Sequence, residues 1–195
     1  MEICESNMLF SFHDGVSAIK YDDQEFYRVS YNVMECSKGV DIIADSERAL
    51  YFIEVKNCEG TAENQDKWRR HYAGTRNMDT LASEIALKVA HTCACLAGVS
   101  TYGSEGKQNT APLLEYANAL HDRKIASHKK KMLVLLCLEG DFSCKSRSNT
   151  QIYLNLQNKI QRRLKWLNCS VSVGSTQTFD LKEFDVKHQR QPMDA

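Results

Sequence analysis

The chain has 195 residues, 43% hydrophobic and 26% charged, with 25 Lys plus Arg set against 25 Asp plus Glu. That is long enough for one sizeable core and too apolar for wholesale disorder. A formal net charge of zero excludes a protein that coats itself in nucleic acid through bulk electrostatics, while leaving room for a local basic groove around an acidic centre.

The start, MEICESNMLFSFHDG, carries acidic residues early, and His13 and Asp14 break its short apolar run, unlike a signal peptide. The longest apolar run, Met132 to Leu138, is far too short to span a bilayer. These features predict a soluble, cytoplasmic protein with no membrane partner. Of the eight cysteines, no two form C-x2-C, and Cys93 and Cys95 stand two apart on a predicted helix, pointing to different sides. Reduced, mostly buried structural thiols are the expectation.

Met8 to Phe12 reads as a short strand. Segment 21–35 stays open between strand, helix and ordered loop, because Tyr27, Val29 and Tyr31 alternate without a clear boundary. Val40 to Ala44 (VDIIA) is dense in β-branched residues, and Ala49 to Lys56 (ALYFIEVK) follows it after Asp45-Ser46-Glu47-Arg48. Two strands joined by so short a polar link predict a hairpin. Residues 57–78 read as a polar loop. A helix is expected from Thr80 to Ala97, where Leu81, Ile85, Val89, Cys93 and Leu96 share a face, with Asp79 or Thr80 as cap and Gly98 at its end. A shorter helix is expected over Pro112 to Leu120. Lys131 to Glu139 (KMLVLLCLE) is continuously apolar, as in a strand buried on both faces. A second long helix, Thr150 to Leu167, and a strand, Cys169 to Val173, complete the order. The pattern predicts an α/β fold, a mixed β-sheet with a central β-hairpin flanked by helices. It is expected to form a single domain over 1–186, with a loose tail over 187–195.

An acidic residue, any residue, then lysine is a common tripeptide; this chain also has Glu105-Gly106-Lys107, Asp122-Arg123-Lys124, Asp180-Leu181-Lys182 and Asp185-Val186-Lys187. Glu54-Val55-Lys56 alone ends a strongly apolar strand that follows another strand bearing an aspartate, Asp41. Side chains alternate along a strand, so Glu54 and Lys56 share a face. The hairpin brings Asp41 beside them. Two carboxylates with the Val55 carbonyl offer the hard oxygen ligands that Mg2+ or Mn2+ prefers. The Lys56 ammonium suits the orientation of an attacking water or the offset of charge on a phosphate.

This arrangement, carried by GVDIIA and YFIEVKN, resembles the PD-(D/E)XK nuclease superfamily over roughly residues 38–140, and is similar to small uncharacterised prokaryotic members. The resemblance implies a restriction-endonuclease-like core and metal-dependent hydrolysis of phosphodiester bonds in DNA or RNA. Asp41, Glu54 and Val55 would bind Mg2+ or Mn2+, and Lys56 would assist the attacking water. Two features depart from the pattern. Gly39-Val40 precedes Asp41, so the proline is absent, and no helix is evident before the first strand of the hairpin. An upstream acidic ligand would come from Asp22, Asp23, Glu25 or Glu35. Lys67, Trp68, Arg69 and Arg70, with His71, are candidates for nucleic-acid contact, by stacking and phosphate pairing. Lys129-Lys130-Lys131 reads as a solvated strand edge, and the six histidines show no metal-ligand spacing. The alternative function is a catalytically inactive domain of the same fold, acting as a partner-binding or oligomerisation module, for example as a homodimer.

Overall fold

The computed structural model describes residues 1–59, 75–102, 109–143 and 147–189. The central hairpin pairs β4 (Ile42–Asp45) with β5 (Ala49–Asn57) in antiparallel register, Ile42 facing Ile53 and Asp45 facing Leu50. Ser46 holds the turn: its amide donates to the Ala49 carbonyl, and its hydroxyl accepts from the Arg48 and Ala49 amides. β3 (Ser17–Lys20) pairs antiparallel with the other edge of β4. β6 (Lys131–Glu139) runs parallel to β5, and β7 (Ser170–Gly174) parallel to β6. The result is a mixed five-stranded sheet in the order β3-β4-β5-β6-β7. A second, antiparallel sheet joins β1 (Glu2–Glu5), β2 (Met8–Phe12) and β8 (Phe184–His188).

The parallel steps need crossovers, and helices supply them. α1 (Thr75–Ser100), α2 (Ala111–Leu120) and α3 (Arg123–Ala126) lie between β5 and β6, and α4 (Asn149–Arg163) between β6 and β7. Alternation along the central strands divides the core in two. Ile43, Leu50, Phe52, Val134 and Leu136 pack with Leu81, Ile85 and Val89 of α1 and Ile152, Leu156 and Ile160 of α4. Ile42, Ala44, Tyr51, Ile53, Val55, Leu135 and Cys137 pack with Met8, Phe10, Phe12 and Phe184 of the small sheet. β5 and β6 are therefore covered on both faces, which is why their sequences are continuously apolar.

The structure departs from the expected boundaries where tertiary contacts override local signals. Residues 26–31 form a π-helical turn, Phe26–Tyr31, with Tyr21 and Tyr27 in ring contact at 4.8 Å. α1 starts at Thr75, so Asp79 is not its cap; the Asp79 carboxylate ties α1 to α4 through Lys159 (2.8 Å) and Arg163 (3.0 Å). The helix also runs through Gly98 to Ser100. α4 begins after a Ser148–Gln151 capping box and ends at Arg163, four residues short of Leu167. β8 includes Lys187 and His188, which the sequence pattern assigns to the tail; they pair with Leu9 and Met8. Lys130 is not a solvated edge residue but is buried in an ion pair with Asp45 (2.6 Å). Residues Met78–Ser100 of α1 are long and apolar enough to cross a membrane. In this fold they form a core helix, with Leu81, Ile85, Val89 and Leu96 buried in one cluster with the sheet. The seven cysteines described are all free, with Cys58, Cys95 and Cys137 buried.

Candidate functional site

Asp41 lies one residue before β4 and continues its ladder: its amide donates to the Ile53 carbonyl, and its carbonyl accepts from the Tyr21 amide. It shares the parity of Ile43, which faces the helices, and Glu54 and Lys56 share that of Leu50 and Phe52. All three expected side chains therefore meet on the α1 side of the sheet, at the C-terminal end of β5. Asp41 is fixed by its neighbour, since Oδ2 accepts from the Val55 amide at 2.7 Å. The Val55 side chain itself packs on the opposite face with Ile53 and Cys137.

Two residues that the sequence motif does not include complete the cluster from α1. The Lys88 ammonium lies 2.6 Å from Glu54 Oε1 and 3.4 Å from Asp41 Oδ1, so it bridges the two carboxylates. Lys56 Nζ lies 3.1 Å from Glu54 Oε1 and 3.3 Å from Glu84 Oε1. Their sequence signal is a polar interruption of the apolar stripe: Glu84, Lys88 and Thr92 each stand three residues after Leu81, Ile85 and Val89, where a core-facing helix repeats apolar residues. The burial is graded. Glu54 is 1% exposed, whereas Lys56 at 24% and Glu84 at 29% form the open side.

Of the four upstream acids, Asp22 is the one the fold brings to the centre, where it interacts electrostatically with Asp41. Asp23 turns to Lys20 (3.5 Å), and Glu25 and Glu35 are exposed. Burial, reinforced by Asp41, pushes Glu54 up to about 7 against the opposing pull of Lys88 and Lys56. Burial and Asp41 likewise raise Asp22 to about 6. Asp41 is also raised, chiefly by burial, with Lys88 and the Val55 amide opposing. Burial works to lower the affinity of Lys88 for its proton, but Glu54 and Asp41 outweigh it and the net shift is upward.

Glu54 Oε2 and Asp22 Oδ1 are buried with no hydrogen-bond partner among the described residues. A buried carboxylate oxygen without a donor is costly. A proton, a water or a hard cation would meet that need, so the donor set fits an oxygen-loving divalent ion.

The residue before Asp41 is one that proline could not replace without loss. The Val40 amide donates to Thr92 Oγ1 at 3.1 Å, in a buried contact that ties the start of β4 to α1. Proline has no such hydrogen. Gly39 is equally constrained, because a Cβ there would stand 2.5 Å from the Tyr21 ring.

A second group of ligand-type side chains was invisible to sequence spacing. Glu59, Glu139 and His188 come from β6, β8 and the residues after β5, with ligand atoms within 4.8 Å of one another. The two ring nitrogens of His188 face different carboxylates, Glu59 at 3.5 Å and Glu139 at 3.4 Å, and Glu139 also accepts from the Thr176 amide. The imidazole thus lies between carboxylates from two different parts of the chain. Lys67, Trp68, Arg69 and Arg70 lie outside the described residues.

No match is found among curated proteins or among solved structures. A family model does match, over residues 24–188, which takes in Asp41, Glu54, Lys56, Glu84 and Lys88 and leaves out β1 to β3 and Asp22. By that match the chain belongs to DUF6661, a family of unknown function.

Proposed function

We propose that this chain is a metal-dependent nuclease of the PD-(D/E)XK type with a restriction-endonuclease-like core, hydrolysing phosphodiester bonds in DNA or RNA. What supports the reading above all is the convergence of Asp41, Glu54 and Lys56 on one face of the hairpin, with Glu54 Oε2 left without a donor. The order of hairpin, long helix and buried parallel strand is compatible with such a core. Asp41 and Glu54, with the Val55 carbonyl and Asp22 nearby, would hold Mg2+ or Mn2+. Such an ion supplies a bound water of lowered pKa and polarises a phosphate. The Val55 amide orients the Asp41 carboxylate. Lys56, on the open side, offers a charge that orients the attacking water or offsets charge growing on the phosphate. The absence of any disulfide among the described cysteines is compatible with a reducing, cytoplasmic setting.

A second reading has one observation in its favour. Lys88 already bridges Asp41 and Glu54, as it would in a non-catalytic domain of the same fold that binds a partner or forms a homodimer. Cleavage assays separate the two. Purified protein with Mg2+ or Mn2+ should nick or degrade a nucleic acid from a panel of single- and double-stranded DNA and RNA. Asp41→Ala and Lys56→Ala should abolish cleavage while remaining folded. Equal cleavage by wild type and both variants would expose a contaminant, and no cleavage across the panel would favour the non-catalytic reading.

A further inference from the structure

Lys88 stands where a bridging cation would stand. Its ammonium is within bonding reach of Glu54 Oε1 and Asp41 Oδ1 at once, and its side chain is 16% exposed. A divalent ion held between these two oxygens would occupy the place the ammonium already fills, so ion and ammonium compete for one position. We infer that Lys88 is a resident counterion that gates the centre, and that a divalent ion enters between Asp41 and Glu54 only as the Lys88 side chain withdraws. This inference rests on the metal-centre reading above.

Withdrawal has a destination on the same helix. Glu84 lies four residues before Lys88, with the carboxylate at the N-terminal position, the favourable orientation for a pair one turn apart. Glu84 now binds Lys56 at 3.3 Å and is the more exposed partner. Transfer of Lys88 to Glu84 would keep its charge paired and loosen the contact between Lys56 and Glu84, while Lys56 stays against Glu54. The same movement that opens the metal position would thus relax one of the contacts of the lysine assigned to the attacking water. In the closed arrangement Lys88 keeps Asp41 and Glu54 from standing uncompensated, so the fold does not depend on an ion to form.

The test is a titration with Mn2+ alone, by calorimetry, of wild type, Lys88→Met and Lys88→Met/Asp41→Asn. Methionine keeps most of the length of lysine and removes the charge. Lys88→Met should bind one Mn2+ about tenfold more tightly than wild type, or better, and the added Asp41→Asn should remove that gain. Equal affinity in wild type and Lys88→Met overturns the gate and leaves the metal centre standing. No binding by either chain, both folded, overturns the two together.

A second measurement needs no variant. The Lys88 amine of wild type, acylated by a pulse of reagent and quantified by peptide mass spectrometry, should react several-fold faster in saturating Mn2+. An unchanged or slower rate at Lys88, where calorimetry shows Mn2+ bound, would mean that the side chain does not leave.

Discussion

Glu54→Gln isolates the cost of holding a carboxylate in this centre. The amide has nearly the shape of the neutral acid, and it cannot ionise. In the folded chain Glu54 titrates at about 7, against an ordinary value of 4.5. Folding therefore favours its protonated form. The associated stability is fully present below pH 4.5 and is lost as pH rises through about 7, because the unfolded chain ionises first. At 1.36 kcal/mol per pH unit the difference amounts to about 3 kcal/mol. The group is almost wholly buried, so solvent screening does little to reduce it. Urea unfolding with a chelator present, at intervals from pH 4 to 8, gives the stability of each chain. The stability of Glu54→Gln relative to wild type should climb by about 3 kcal/mol between pH 4.5 and 7, then level off. Parallel curves for the two chains would show that Glu54 ionises normally, and would refute the account of a desolvated carboxylate beside Asp41.

Three further outcomes follow from contacts around the site. Gly39→Ala drives a methyl group into the fully buried Tyr21 ring and should cost about 1–3 kcal/mol in denaturant unfolding; a neutral result would mean that the Tyr21–Tyr27 pair shifts freely. Val40→Pro should destabilise the chain by about 1–3 kcal/mol, because it leaves Thr92 Oγ1 without the Val40 amide in a buried contact. Thr92→Val should absorb much of that penalty in a double-mutant cycle, and full additivity would contradict the contact. Among the described cysteines, the exposed Cys4 and Cys36 should be the first to react with a thiol reagent in the native state. Cys58 and Cys95, buried thiols that desolvation pushes up to about 12 and about 11, should wait for unfolding, and early labelling at either would contradict their packing.

Local pattern was sufficient wherever it coincided with burial. The β-branched run at Ile42–Ile43, the apolar run in β5 and the polar link between them specify a hairpin, because strand alternation and turn chemistry act within a few residues. The same alternation puts Glu54 and Lys56 on one face, and hairpin register brings Asp41 beside them. The continuous apolar character of Lys131–Glu139 likewise declares a strand covered twice.

What the sequence left open depends on partners distant in the chain. β8 is a polar strand, FDVKH, that exists because Met8–Phe12, some 170 residues earlier, offers it an edge and a Phe184 pocket. Asp22 is no better a candidate than Asp23 by composition; only the return of the chain from β3 to Asp41 points one of them inward and the other to Lys20. Lys88 interrupts the apolar stripe of its helix, but what its charge meets is open until α1 is laid across the sheet. There the helix presents that ammonium to Glu54 at 2.6 Å, and it becomes the counterion of a buried carboxylate. Periodicity assigns residues to faces, but which two faces meet, and hence which charges must be compensated, is decided by packing over the whole chain.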